Sequence, residues 1–201
     1  MMRWGIVFLL PFALACGEPK PSKKTPLELE TVQTHKVAVG VFSMQAANTE
    51  AGYIDDKQLK GKVWVGVTIF THCPGICPIV TQVFKELQAE FKDDEDFRML
   101  SVTVDPARDT VEVLKKYAGT YGADNERWIF ARHPERPAIA KFVKGNLHLQ
   151  YIDEEPLIHP PHIVLVDREG NIAGMWDGTD QKAVQKLRKA IRKTLDKKKT
   201  P

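Results

Sequence analysis

Cysteine is scarce in this chain, which has Cys16, Cys73 and Cys77 and no other cysteine among its 201 residues. A structural zinc site with four cysteine ligands therefore cannot form within one molecule. The formal net charge is only +3, and the lysines are concentrated at the C-terminal end. Both observations argue against a nucleic-acid groove and against a dedicated anionic partner. Apolar runs are also short, since a membrane-spanning helix needs roughly 20 apolar residues.

The overall composition is that of an ordinary globular domain. Hydrophobic residues make up 43% of the chain and charged residues 27%, so we expect one domain with its own core, which we place at residues 36–196. The lysines of residues 197–201 are expected to form a solvated basic tail.

The N-terminus has the pattern of an export signal. Residues 1–15 carry Arg3 and then an apolar run that ends on small residues, which predicts a signal peptide. Cys16 follows directly, where a bacterial lipoprotein has its lipid-modified cysteine, although Ala13 occupies the position that usually holds leucine. We expect lipidation at Cys16 and a location on the extracytoplasmic or periplasmic face of a bacterial membrane, with a simply cleaved signal or an uncleaved anchor as alternatives.

Residues 16–35 are predicted to be a tether between the lipid anchor and the domain, because residues 18–26 are rich in proline and lysine and have almost nothing to bury. Outside this anchor, the chain keeps Cys73 and Cys77. In an exported, oxidising compartment two remaining cysteines are expected to act as a pair.

Apolar patterning predicts alternating strands and helices. The predicted elements, in chain order, are a strand at 62–70, a helix starting near Cys77, a strand at 97–104, a helix opened by an Asp109–Glu112 capping box, a hairpin of 163–167 and 171–176, and a helix burying Val184, Leu187, Ile191 and Leu195. This order favours an α/β, thioredoxin-like fold, with helices flanking a central mixed sheet that is largely parallel and has antiparallel strands at one side. It places both cysteines between a strand end and a helix N-terminus.

The cysteine spacing allows two kinds of chemistry. In THCPGICP three residues separate Cys73 from Cys77, one more than in the C-x-x-C of dithiol oxidoreductases. A helix N-terminus favours the thiolate form, which serves both metal binding and disulfide exchange. A soft dithiolate suits Cu(I), zinc or iron–sulfur chemistry, and a third, imidazole ligand would suit copper.

Two other interpretations are weaker. A purely structural disulfide would close a very small loop and gain little entropy. A peroxidatic cysteine would need the pattern P-x-x-x-T-x-x-C, but Phe70 and Gly66 precede Cys73 at the threonine and proline positions, and Pro74 and Phe70 precede Cys77.

Three motifs together resemble the Sco/SenC family, named for synthesis of cytochrome c oxidase, from about Phe42 to Leu195. They are GKVWVGVTIFTHCPGICP, SVTVDPARDTVEVLKKYA and LIHPPHIVLVDREGNIAGMWDG. The resemblance implies a thioredoxin fold that binds one copper, as Cu(I) or Cu(II), through Cys73, Cys77 and His159. It also implies a monomeric metallochaperone that helps to fill the copper site of cytochrome c oxidase subunit II.

Some members of the family are thought to be thiol–disulfide reductases instead, and two departures bear on this alternative. Gly75 stands where the family usually has aspartate, which removes a charge near the cysteines. Pro161 lies just before a predicted strand, where thioredoxins carry a cis-proline facing their dithiol. The same cysteines could therefore form a redox pair.

Several other residues are candidates for roles at the site. His162 is the main rival of His159 as third ligand. His72 is expected to be an exposed loop histidine, with tuning of the neighbouring thiolate or contact with the metal as alternatives. Asp105 could influence the thiol pKa or form a turn with Pro106, whereas Asp109 is predicted to cap a helix. Met44 and Met175 are predicted to be packing residues. His35, His133 and His148 are predicted to lie on the surface.

Overall fold

The computed structural model describes residues 37–150 and 159–197, which all belong to one unit, His35–Pro201. The predicted signal peptide, Cys16 and the tether lie outside the described residues, as does the tail beyond residue 197. The strands are β1 (Ser43–Ala46), β2 (Tyr53–Asp55), β3 (Val63–Ile69), β4 (Phe97–Thr103), β5 (Trp128–Arg132), β6 (His162–Val166) and β7 (Ile172–Asp177). The helices are α1 (Asp56–Leu59), α2 (Ile76–Glu90), α3 (Val111–Tyr121), α4 (Arg136–Ala140), which continues as a π-helix (Lys141–Asn146), and α5 (Gln181–Leu195).

The seven strands form one sheet in the order β2-β1-β5-β4-β3-β6-β7. β3 pairs in parallel with β4, and β4 in parallel with β5. The remaining neighbours are antiparallel. The predicted mixed sheet and thioredoxin-like class are confirmed. The expected antiparallel strands at one side are β6 and β7. The expectation of a largely parallel sheet is wrong, because β1 and β2 add antiparallel strands at the opposite edge.

β3 is buried on both faces, as its nearly continuous apolar sequence predicts. Alternate residues of β3, such as Val65 and Val67, pack under α2, α3 and α5. Trp64 points to the other face, where Leu59 of α1 and Ile139 of α4 complete a second core. β3 lies between β4 and β6 in the sheet, and helices cover both of its faces. The loop at its carboxyl end therefore begins inside the core.

The predicted capping box is wrong. Thr110 is the N-cap of α3, and its hydroxyl accepts the N–H of Val113. Asp109 instead points into the protein and is fully buried. A residue that fits a local helix-start pattern thus makes tertiary contacts instead of capping the helix.

No helix in the described parts of the chain is both long and apolar enough to span a bilayer.

Candidate metal centre

The cysteines lie where β3 gives way to α2. β3 ends at Ile69 and α2 begins at Ile76, so Cys73 lies in the connecting loop and Cys77 in the first helical turn. Both thiols are free. Cys73 is half-buried, and its N–H donates to the carbonyl of Phe70 at 3.2 Å. Cys77 is only 1% exposed and packs in the core.

Asp109 fastens this loop to the neighbouring strand. One carboxylate oxygen accepts the backbone N–H of Thr71 at 3.1 Å and the Thr103 hydroxyl at 2.5 Å. The other oxygen accepts the Thr71 hydroxyl at 2.5 Å. Three hydrogen bonds to one buried carboxylate therefore tie the loop after β3 to the end of β4. Local sequence patterns do not predict this role. The one indication that Asp109 has a role beyond capping is its place in a motif shared with the Sco/SenC family.

Asp105 stabilises the turn that leads to Asp109. Its carbonyl accepts the N–H groups of Arg108 and Asp109, at 3.3 and 2.9 Å. Its buried carboxylate lies 3.1 Å from the Arg108 Nε. Of the two roles weighed for Asp105, these contacts favour the turn.

His159 meets Cys77 just before β6. The imidazole is 6% exposed, and its Nε2 lies 3.5 Å from the Cys77 Sγ. Its Nδ1 lies 3.2 Å from the hydroxyl of Thr68, a residue of β3. Phe70 packs edge-on against the ring at 5.5 Å between centroids. The imidazole is thus enclosed by β3, its loop and the start of α2.

The other histidines lie in different surroundings. His162 begins β6, is half-buried and sits opposite Asp177 of β7. His72 has a 59% exposed side chain whose Nδ1 is 3.8 Å from Asp109. His148 is exposed as predicted, whereas His133 is half-buried, so its surface prediction holds only in part. His35 lies outside the described residues.

The two methionines differ from each other. Met44 is 4% exposed and packs in the core, which confirms its predicted packing role. Met175 on β7 is 37% exposed, so the packing prediction is wrong for this residue.

The two thiols have opposite pKa shifts. Burial raises the pKa of Cys77 to about 12, and the nearby Cys73 and Asp109 charges add to the rise, against an opposing backbone hydrogen bond at Phe70. Burial also acts to raise the pKa of Cys73, but backbone hydrogen bonds at Cys77, Gly75 and Ile76 and one from the Cys77 side chain outweigh it, so the Cys73 pKa falls below 9.0. The helix N-terminus thus favours a thiolate at the more exposed cysteine.

The donor atoms suit a soft metal. Burial lowers the pKa of His159, which favours the neutral imidazole that metals bind. With metal–sulfur and metal–nitrogen bonds of about 2.3 and 2.0 Å, two ligands of one metal lie roughly 3.5–3.7 Å apart, and the Cys77–His159 distance is 3.5 Å. Nevertheless, in residues 37–150 and 159–197 no three histidine, cysteine or acidic side chains form a ready-made metal-binding group.

Gly178 sets a close contact beside this site. Its N–H donates to the carbonyl of Pro161 at 2.9 Å. A Cβ at this position would lie 3.0 Å from that carbonyl oxygen and 3.1 Å from side-chain atoms of Val80 and Ile163. Gly178 therefore fits between Pro161 and the α2 residue Val80 with little room for a side chain.

A mixed sheet with a dithiol between a central strand and the following helix defines a thioredoxin-like protein. A SCO1/SenC family model matches residues 32–196. The chain therefore belongs to the SCO1/SenC family.

Individual relatives agree with this assignment. The SCO1 protein homolog of Bacillus subtilis strain 168 is 30% identical over 180 residues, which cover 88% of this chain and 86% of the relative. A SCO1/SenC family lipoprotein from Bacillus anthracis superposes with a TM-score of 0.73 at 25% identity, covering 81% of this chain and 97% of the other. BsSco, a member of the Sco family of cytochrome c oxidase assembly proteins in which a disulfide switch was identified, gives a TM-score of 0.71 at 26% identity, with coverages of 82% and 96%.

Solved structures of Sco proteins from Arabidopsis thaliana and Bradyrhizobium japonicum have copper bound. At 24% identity each, their likeness to this chain shows the fold alone.

Proposed function

We propose that this protein binds one copper ion with Cys73, Cys77 and His159 and delivers it to the copper site of cytochrome c oxidase subunit II. The observation that carries the proposal is the 3.5 Å separation between the Cys77 Sγ and the His159 Nε2, at the spacing of two ligands of one metal. The family's link to oxidase assembly and the copper bound by its relatives support it.

Thr68 prepares the imidazole for this role. A proton on the His159 Nδ1 can be donated to the Thr68 hydroxyl at 3.2 Å, which leaves the Nε2 lone pair facing Cys77. Such a partner on the second ring nitrogen fixes the tautomer and orientation of a ligating histidine. Cys77 and His159 therefore form the buried part of the site.

Cys73 is the most exposed of the three proposed ligands. It is the half-buried member of the pair, and its lowered pKa favours the thiolate that binds copper. A ligand of the receiving protein can reach the ion from this side, so we propose that Cys73 is the first of the three ligands to be replaced during transfer.

Copper loading of single-site variants tests the proposal. The reduced protein is loaded with Cu(I), and copper retention and oxidase assembly are compared for wild type, Cys73→Ser, Cys77→Ser and His159→Ala. We expect loss of either cysteine to abolish retention and His159→Ala to weaken it. His162→Ala is the matched control and should retain copper. Full retention without one cysteine, or loss in the His162 variant alone, would refute the ligand set.

A second function, thiol–disulfide reduction, is favoured by the asymmetry of the cysteines. The Cys73 thiolate would attack a partner disulfide, form a mixed disulfide and release one partner thiolate. Cys77 would then lose its proton and attack the Cys73 sulfur, releasing the second partner thiolate. The partner gains two electrons and the pair becomes a disulfide, which an external dithiol must reduce again. The disulfide switch of BsSco supports this alternative.

Turnover without metal separates the two functions. With a copper chelator present, the reductase proposal expects continued reduction of oxidised subunit II, because disulfide exchange needs no metal. With copper supplied, the His159→Ala variant should then assemble oxidase as well as wild type. If His159→Ala instead blocks assembly although its dithiol still reduces subunit II, the chaperone function is supported.

The membrane anchor is a separate proposal. We propose that residues 1–15 are removed and that Cys16 is lipidated, with residues 16–35 tethering the monomeric domain, residues 36–196, to the outer face of the membrane. The Bacillus anthracis relative is a lipoprotein, which supports this. An inhibitor of lipoprotein signal peptidase should make the precursor accumulate, and an unchanged precursor pattern would count against lipidation.

A further inference from the structure

Basic residues are concentrated at one end of the chain. Residues 181–199 hold nine of the 29 lysines and arginines but one of the 26 acidic residues, Asp196. The rest of the chain therefore has 20 basic against 25 acidic residues. The small net charge is therefore the sum of an uneven distribution, in which positive charge is concentrated on α5 and the residues that follow it.

The cations of α5 divide into two groups. The arginines face α2 and the turn that follows it. Arg188 pairs with Glu86 and Glu90 of α2, and Arg192 pairs with Asp94 of the turn at 3.0 Å. The lysines form a row of exposed residues, and within residues 37–150 and 159–197 none of them has an ion pair. The row consists of Lys182, Lys186, Lys189 and Lys193. Spacings of four, three and four residues place these side chains along one side of the helix.

Three of these lysines border a groove between α2 and α5 with a volume of about 1140 Å³. Its α2 side has the apolar residues Pro78, Val83 and Ile79, whose side chain is unusually exposed at 52%. It also contains Gln82 and Glu86, and Glu86 is paired with Arg188. An apolar wall beside a row of cations is a common composition for a protein interface.

The groove starts at the candidate metal centre. Gly178, just before α5, packs against Val80, three residues after Cys77. Further along, Arg188 reaches Glu86 and Arg192 reaches Asp94. The two helices thus run parallel from the site, and a molecule held in the groove would contact Pro78, the residue next to Cys77.

We propose that this groove docks an acidic surface segment of the copper-receiving protein, with an apolar side chain against Ile79 and carboxylates along the lysine row. The proposal rests on the proposed delivery of copper. A protein segment fits these features better than a lipid bilayer does, because the site is concave and partly apolar. This proposal departs from the expectation of no dedicated anionic partner, because the lysines near the C-terminal end lie in one row beside apolar side chains.

Charge reversal tests the groove without using copper. The full chain carrying Cys16→Ser, which cannot be lipidated, is titrated copper-free with the soluble copper domain of cytochrome c oxidase subunit II. We expect Lys182→Glu/Lys186→Glu to weaken binding by about tenfold or more at low salt. The difference should shrink between about 0.01 and 0.15 M salt, as the Debye length falls from roughly 30 to 8 Å. Ile79→Ser should weaken binding at both salt concentrations.

Lys115→Glu/Lys116→Glu on α3 is the matched control, since both lysines are exposed and the charge change is equal. Equal weakening by the two double variants, or none by either, would overturn the proposal. So would unchanged domain binding combined with weaker flotation of the α5 variant on phosphatidylglycerol vesicles, because the row would then contact membrane. All variants should still retain Cu(I); failure of wild type to bind copper would refute the proposed function instead.

Discussion

The two sides of the candidate metal centre are held by different kinds of interaction. The cysteine loop, residues 70–75, is fastened by the buried carboxylate of Asp109, which accepts three hydrogen bonds from Thr71 and Thr103. His159 is held by two side-chain contacts and by packing against Phe70. We therefore expect damage to the first side to lower mainly the stability of the fold, and damage to the second to lower mainly the metal affinity, with a smaller loss of stability.

Asp109→Ala should give the largest effect, because it leaves several buried or half-buried donors without an acceptor. We expect it to lower the free energy of unfolding by about 3–5 kcal/mol in urea denaturation. Glu112→Ala, at an exposed position, should change it by less than about 0.5 kcal/mol. Equal losses in the two variants would restore the capping-box interpretation.

The contrast between the two thiols should appear in their alkylation rates. In a Cys16→Ser background, iodoacetamide should modify Cys73 at neutral pH at least about 100-fold faster than Cys77, since the thiolate is the reactive form. The rate at Cys73 should rise with pH to a midpoint below 9.0, whereas Cys77, with a pKa of about 12, should stay protonated and slow throughout that range. Cys77→Ser and Cys73→Ser isolate the two rates. Similar midpoints would contradict the asymmetry.

Thr68→Val tests the histidine side, since valine has the shape of threonine without its hydroxyl. Loss of the contact with the His159 Nδ1 should weaken Cu(I) binding by about 10–100-fold. Stability should fall by only about 1–2 kcal/mol. Thr68→Ser keeps the hydroxyl and should bind copper as wild type does. If Thr68→Ser and Thr68→Val weaken copper binding equally, packing and not the hydroxyl orients the imidazole.

Gly75→Asp should have the smallest effect. Gly75 is the N-cap of α2 and has no side-chain cap, and a Cβ there would meet nothing within 4 Å. An aspartate should stabilise the helix by a few tenths of a kcal/mol. Its negative charge should raise the pKa of Cys73 and slow alkylation at neutral pH. Gly75→Asn should cap the helix equally but leave the pKa of Cys73 nearly unchanged, and a shift of the same size in both variants would exclude the charge as its cause.

Much of the fold could be predicted from the sequence because its central elements carry strong patterns. The apolar run of β3, the helical spacing of α2 and α5 and the turn between β6 and β7 all lie close to their predicted positions. β1, β2 and β5 were not predicted. They contain only three to five residues each, too few to establish a period against neighbouring loops.

The site was less predictable than the fold for a physical reason. The cysteine spacing is a local pattern, but the contact between Asp109 and Thr71 joins residues 38 positions apart, and the contact between Cys77 and His159 joins residues 82 apart. Local patterns carry no information about such distant pairs, so the spacing of Asp109 and Glu112 predicts only a helix cap. His159 was distinguished from His162 by family position alone.

Gly178 limits how the chain can change beside the candidate metal centre. Its N–H donates to the carbonyl of Pro161, and a Cβ at this position would lie 3.0 Å from that oxygen and 3.1 Å from Val80. An alanine here would therefore have to displace the Pro161 segment or α2. The surroundings of the candidate site can thus be altered from a position that supplies none of its proposed ligands.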